Sequence, residues 1–192
     1  MTEKQQDKRP RTSGEGRLPG NPIREELIAR MIRVNHAGEY GAVRICQGQL
    51  AVLDGTPEAD VIRTMADKEL EHLQNFGRLI AERRVRPTLL TPLWHMAGFA
   101  LGAASAALDP RAAMACTQAV EEVIDEHYAG QTTQLGDDET ELREMIEQYR
   151  ADEIEHRDTA LAHDAKGAPA YELLTGAVKA GSKLAIWLST RI

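Results

Sequence analysis

Strands are the first thing missing from this sequence: no run of β-branched residues alternates with polar ones, so a sheet has no segment to start from. Cysteine is scarce as well. Cys46 and Cys116 lie far apart in apolar stretches without Cys-x-x-Cys spacing, which argues against a disulfide framework and for two reduced, buried thiols in a cytosolic protein. No Gly-x-Gly-x-x-Gly fingerprint is present to hold a nicotinamide or flavin. Positive charge is in deficit too: the net charge of -7 and pI near 5.4 count against a nucleic-acid binder held by phosphate contacts. The apolar segment Leu93 to Leu108, sixteen residues without charge, is short of the roughly 20 apolar residues that span a bilayer. The first twenty or so residues contain no apolar run, so a secretory signal is not expected, and Glu3, Asp7 and Glu15 make them too acidic for a transit peptide.

What the chain does have is punctuation for helices. Pro suits the first helical position, and several prolines here follow a capping residue: Asn21-Pro22, Thr56-Pro57, Thr91-Pro92, Asp109-Pro110 and, without a capping side chain, Ala168-Pro169. With turn signals at 54–57 and 135–139, these predict helices at about 24–53, 58–84, 92–107, 110–134, 140–164 and 169–189. The expected fold is all-α, with residues 1–22 as a disordered tail and 23–192 as one domain around one core. Short turns join the first helix to the second and the fourth to the fifth, which implies two antiparallel hairpins.

The second and fifth helices carry the chemistry. In "DKELEHLQNF", Glu69 and His72 share a face with Ile62, Met65, Leu73, Phe76 and Ile80; in "DEIEHRD", Glu153 and His156 share one with Leu142, Met145, Ile146, Tyr149 and Ala160. Those stripes read as core, where an unpartnered charge costs several kcal/mol or is neutralised by a shifted pKa. Residues equidistant from the turn of an antiparallel hairpin lie at one height. Reflecting the two Glu-x-x-His motifs through their turns lands on Glu39 in "NHAGEYGA" and near Glu121 in "QAVEEVIDEHY". Glu121 shares its stripe with Met114, Thr117, Ile124 and Tyr128, whereas Glu122 aligns with Asp125 and Glu126, so Glu121 is the inward one. The two halves thus form an internal repeat with acidic groups at matching depths.

Four carboxylates and two imidazoles in one apolar bundle repel and desolvate one another unless cations neutralise them. Two divalent ions do so, and the ligand set suits iron or manganese. A Glu from each of two helices plus Glu-x-x-His from each of the other two is the pattern of ferritin-like dinuclear carboxylate proteins. By the pseudo-twofold repeat, Glu69 and Glu153 are expected to bridge, with Glu39 and His72 completing one end and Glu121 and His156 the other. The bland alternative leaves these residues exposed and paired with Lys68 and Arg157. His36, His127, Tyr128 and Tyr149 are candidates for orienting ligands; His95 and His163 receive no role.

With "NHAGEYGA", "KELEHLQNF", "AVEEVIDEHY" and "DEIEHRD" in view, the chain closely resembles the 5-demethoxyubiquinone hydroxylase family of ubiquinone biosynthesis, from about Ile28 to the C-terminal "AIWLSTRI". The resemblance implies a di-iron monooxygenase that hydroxylates the benzoquinone ring of a polyprenylated intermediate, with dioxygen as co-substrate. It places the six iron ligands on Glu39, Glu69, His72, Glu121, Glu153 and His156. It also implies a polyprenyl quinone or quinol substrate, other ubiquinone-biosynthesis proteins as partners, and no nucleic acid, with homo-oligomerisation open. Electrons come from a reductant that needs no dinucleotide fold, from a partner, or from the quinol itself. Alternatives are ferritin-like iron storage and a non-catalytic lipid-binding scaffold of the same pathway.

Two segments bear on how a lipid-borne substrate is reached. "LWHMAGFALGAASAAL" reads as an interfacial or re-entrant helix, and its Gly98, Gly102 and Ala106, four apart, allow close helix approach. The last helix puts Tyr171, Leu174, Val178, Gly181, Ala185 and Leu188 on one side, with Lys179, Lys183 and Trp187 nearby for the headgroup region. The expected location is peripheral, on the cytoplasmic side of the cell membrane. The alternative is that both segments simply cover the bundle or form a dimer interface.

Overall fold

The computed structural model describes residues 23–192; the expected tail at 1–22 and the Asn21-Pro22 helix start lie outside the described residues. Six α-helices follow in order: α1 Arg24–Leu53, α2 Pro57–Glu82, α3 Thr91–Leu108, α4 Pro110–Thr132, α5 Thr140–Ala162 and α6 Tyr171–Ser189. Short 3-10 turns at Asp137–Glu139 and Ala165–Gly167 precede α5 and α6, and no strand occurs among the described residues. The chain is all-α, a ferritin-like bundle with two further helices laid against it.

The punctuation acts in different ways at different starts. Asp109 caps α4, its side chain accepting from the Arg111 N–H with Pro110 at the first helical position, as its sequence predicts. Thr56 precedes Pro57 without capping α2; its hydroxyl donates back to the Leu53 carbonyl and closes the turn instead. Pro169 does not open α6. Ala168 is extended and Ala170 left-handed at φ 51°, so the helix begins two residues later than expected, at Tyr171.

Helices α1 and α2 pack as one hairpin and α4 and α5 as another. Between the hairpins the chains run antiparallel: Asn35 and Glu39 on α1 meet Gln131 and Tyr128 on α4, while Lys68 and Asn75 on α2 meet Asp152 and Tyr149 on α5. Long polar side chains make these contacts, so the two hairpins stand apart at mid-height and leave space for a polar centre. Ile32, Phe76, Ile146 and Tyr128 close that space at one end and Ile62, Met114 and Ala160 at the other, all fully or almost fully buried. Burial of such side chains contributes about 1.5–3 kcal/mol each.

Helix α3 runs parallel to α1 in a close backbone approach. A Cβ at Gly102 would strike the Ile45 backbone and one at Gly48 the Phe99 carbonyl, so both positions need glycine. This bears out the small-residue spacing of α3. Helix α6 packs on α4, where Lys179 pairs with Glu122 and Lys183 with Glu126. Those two lysines therefore serve the bundle, not the headgroup region expected for them. No helix among the described residues is long and apolar enough to cross a membrane.

Candidate metal centre

Each of the six carboxylate and imidazole positions is buried, with at most 5 % of its surface exposed. Lys68 and Arg157, the surface partners of the bland alternative, are occupied elsewhere: Lys68 with Asp152 at 2.7 Å and Arg157 with Asp158 at 2.7 Å. The side chains gather into two overlapping groups, Glu39, Glu69, His72 and Glu153 in one, Glu69, Glu121, Glu153 and His156 in the other. Within each group one ligand atom per residue lies within 4.8 Å of all the rest, and Glu69 and Glu153 belong to both. Shared membership is the geometry a bridging carboxylate needs.

The imidazoles turn Nδ1 inward. His72 Nδ1 is 3.6 Å from Glu39 and 3.4 Å from Glu153; His156 Nδ1 is 3.0 Å from Glu69 and 3.5 Å from Glu153. None of these approaches makes a hydrogen bond, although the atoms lie close together. As a result, of nine buried side-chain polar atoms without a hydrogen-bond partner among the described residues, eight belong to these six residues. Leaving such atoms unsatisfied costs about 1–3 kcal/mol apiece, more when charged. Metal ions in the two groups would satisfy them together, so the donor set fits a pair of divalent cations.

Electrostatics point the same way. Burial and the Glu153 charge push the Glu69 carboxyl well above its usual range, and Glu121 is raised for the same reasons. Burial acts to raise Glu153 too, but the two imidazoles outweigh it and hold Glu153 low. Burial lowers the imidazoles, and adjacent carboxylates overcome it: Glu153 and Glu39 lift His72 to about 11, Glu153 and Glu69 lift His156 to about 9. Without cations Glu69, Glu121, His72 and His156 all hold their protons more tightly than usual.

Of the four candidates for orienting groups, two touch the centre. Tyr128, almost wholly buried, donates to Glu39 Oε1, and Tyr149 stacks on His72 with ring centroids 3.8 Å apart. His127 does not; it lies 3.1 Å from the Asn35 side-chain oxygen in a buried cluster with Gln131, and burial drops its pKa to about 4. His36 has no hydrogen bond to any of the six. One orienting residue escapes the sequence reading altogether: Asp152 Oδ2 sits 3.1 Å from His72 Nε2, and its other oxygen takes Lys68. Nothing in the local pattern of α5 marks Asp152, since its partners come from α2.

Beside the centre lies a cavity of about 400 Å³ between α3 and α6, floored by α1 and α4. Its floor includes Gly38 and Val120, the sequence neighbours of Glu39 and Glu121, together with Ala37, Gly41 and Ile124. A Cβ at Gly38 or Gly41 would meet nothing within 4 Å, so these glycines widen the floor. The cavity is almost wholly apolar, in the size range of small-molecule sites.

The Ubiquinone biosynthesis protein COQ7 family model matches residues 26–189, nearly the whole described chain. The chain belongs to the COQ7 family. Similar proteins within reach of it include the 3-demethoxyubiquinol 3-hydroxylase of Rhodospirillum rubrum, 55% identical over 183 residues, covering 95% of this chain and 86% of that one. The mitochondrial NADPH-dependent 3-demethoxyubiquinone 3-hydroxylase of Dictyostelium discoideum is 53% identical, covering 88% of this chain and 80% of its own. The mitochondrial 5-demethoxyubiquinone hydroxylase of Saccharomyces cerevisiae is 43% identical, with 86% and 78% covered. This agrees with the resemblance carried by the four motifs, and as a COQ7 family member the chain places those motifs around one centre.

Proposed function

We propose that this COQ7 family chain is a monooxygenase that hydroxylates the ring of a polyprenylated demethoxyubiquinone or demethoxyubiquinol, using dioxygen at a pair of iron ions. The observation that carries the proposal is the set of eight orphaned polar atoms in two overlapping groups, with an apolar cavity whose floor includes Gly38 and Val120, the sequence neighbours of Glu39 and Glu121. Two irons would be held by Glu39 and His72 at one end and Glu121 and His156 at the other, with Glu69 and Glu153 between them. When bound, the iron pair supplies dioxygen activation.

The protein's own residues do the rest. The cavity takes the prenyl chain by burial of apolar surface and brings the ring to the floor formed by Gly38 and Val120. Ile124, Val120 and Ala37 keep water from that floor, which strengthens the charge interactions behind it. Tyr128 holds Glu39 through its hydroxyl proton, while Asp152 and stacked Tyr149 fix the His72 ring so that Nδ1 faces inward. The names of the Dictyostelium and mammalian relatives state NADPH dependence of those proteins; for this chain we take a nicotinamide as electron source, bound without a dinucleotide fold or used through the quinone.

The substrate's tail implies work at a membrane surface, with the chain peripheral on the cytoplasmic side. The test is to supply the full chain with ferrous iron, a reductant and a short-chain demethoxyubiquinone under isotopically labelled dioxygen. One labelled oxygen in the hydroxylated product is expected. Iron uptake without product would favour the storage or scaffold alternatives.

A further inference from the structure

The six ligand side chains are buried, so an ion that reaches them must cross some part of the bundle. Most of its surfaces are unsuited to a hydrated cation. The seams within the two hairpins, α1 with α2 and α4 with α5, are closely packed. Ile32, Phe76 and Ile146 close one end, and Ile62, Met114 and Ala160 the other. Helices α1 and α4 stand further apart, but α3 and α6 cover that side with an apolar cavity, where an ion stripped of water finds no ligand.

The seam between α2 and α5 differs. Among the described residues the backbones of these two helices hardly approach each other, and side chains span the gap. Asn75 donates to the Tyr149 hydroxyl on one flank. Beside it an unbroken file of polar atoms runs from solvent to the centre. Lys68 Nζ is 2.7 Å from Asp152 Oδ1, Asp152 Oδ2 is 3.1 Å from His72 Nε2, and His72 Nδ1 is 3.4 Å from Glu153 and 3.6 Å from Glu39. Lys68 exposes 41 % of its side chain and His72 only 2 %, so the file joins an open end to a closed one. At the closed end His72 Nδ1, Glu153 Oε1 and Glu39 Oε2 are all unpartnered.

The open end has three carboxylates to one ammonium. Glu155 is 3.8 Å from Lys68 Nζ, and Glu71 lies one turn further along α2. The hydrogen bond to Asp152, then the charges of Asp152, Glu155 and Glu71, hold the ammonium above its ordinary range against the opposing effect of burial. Carboxylate oxygens suit a divalent ion, which brings twice the charge of Lys68 to the same three groups.

We propose that the α2–α5 seam is the loading route of the metal centre: Glu71 and Glu155 draw a hydrated divalent cation to the mouth, Asp152 receives it, and Lys68 is the gate it displaces. The inference rests on the metal-centre reading above and adds the path by which ions arrive. An ion that takes Asp152 releases both contacts of that carboxylate, to Lys68 and to His72 Nε2, and so frees the imidazole to turn aside. Metal and prenyl substrate then enter from opposite faces of the bundle.

The test is anaerobic stopped-flow uptake of ferrous iron by the metal-free full chain, with release into excess bipyridine followed from the loaded chain and bound iron counted at equilibrium. None of these readouts needs substrate or turnover. Uptake by the parent is expected to slow as salt rises. Glu71→Lys/Glu155→Lys is expected to take up iron about tenfold more slowly, yet to bind two ions at equilibrium. Lys68→Ala is expected to speed uptake and release alike, each about tenfold, because one gate serves both directions. Lys68→Arg, which keeps the cation, and Gly41→Leu, on the floor of the apolar cavity, are expected to keep the parent rates. Two irons bound at rates indifferent to the charge reversal or to Lys68→Ala, or slowed by Gly41→Leu, overturn the route and leave the metal centre standing. A parent that binds no iron overturns both.

Discussion

Asp152 on α5 reaches across the bundle to His72 on α2, its Oδ2 3.1 Å from Nε2, while among the described residues no hydrogen bond reaches Nε2 of His156. The two ends of the centre are therefore unequal. A carboxylate behind an imidazole fixes its tautomer and raises its basicity, and losing such a partner costs about 10–100-fold in metal affinity. Asp152→Asn is expected to weaken one of two metal-binding steps by that factor and spare the other. Calorimetric titration of the metal-free chain checks this, and an equal loss in both steps would count against it.

Proton competition sets a second expectation. His72 is raised to about 11 and His156 to about 9 from an ordinary 6.5. A group with a folded pKa above its unfolded one contributes stability that is full below the unfolded value and lost as pH rises through the folded one. Raised Glu69 and Glu121 act with the same sign above their ordinary 4.5, while the lowered Glu153 matters only as pH falls below that value. The metal-free chain should thus lose stability in urea between pH 6.5 and 9 as the pH rises. Metal ions, which need the ligands deprotonated, should bind more tightly over the same interval. A metal-free chain that grows more stable across this range would refute the assignment of protons.

Glycine positions separate close packing from open space. Gly102→Ala pushes a Cβ into the Ile45 backbone and is expected to cost about 1–3 kcal/mol. Gly130→Ala, inside α4 with nothing within 4 Å, is expected to gain about 0.4–1 kcal/mol. Chemical unfolding of the two variants gives both signs at once.

The cavity floor supplies the prediction for substrate. Gly41→Leu grows into open space, so the fold and metal content should hold while KM for a prenylated quinone rises about tenfold or more. Steady-state kinetics beside metal analysis decides the matter; an unchanged KM would mean the substrate lies elsewhere.

How much of this was legible in the sequence follows from how local each signal is. Helix ends at Asp109-Pro110 and the depth of Glu39 and Glu121 depend on spacing along one chain segment or one hairpin, and the structure agrees. Pro169 misleads because the residues around it take an extended and then a left-handed conformation, which proline alone does not announce. Asp152, and the retirement of Lys179 and Lys183 into pairs with Glu122 and Glu126, depend on which helices face each other across the bundle. His127, a candidate for orienting ligands, is turned by its helix toward Asn35 and Gln131 instead.

The claim on which the rest depends is that Glu39, Glu69, His72, Glu121, Glu153 and His156 hold two metal ions between them. Its most direct test is anaerobic titration of the metal-free full chain with ferrous iron, counting bound ions, beside Glu153→Ala, which removes a carboxylate common to both groups. The account predicts two irons per chain in the parent and loss of tight binding at both positions in the variant. One iron or none in the parent, or two retained in the variant, would contradict it.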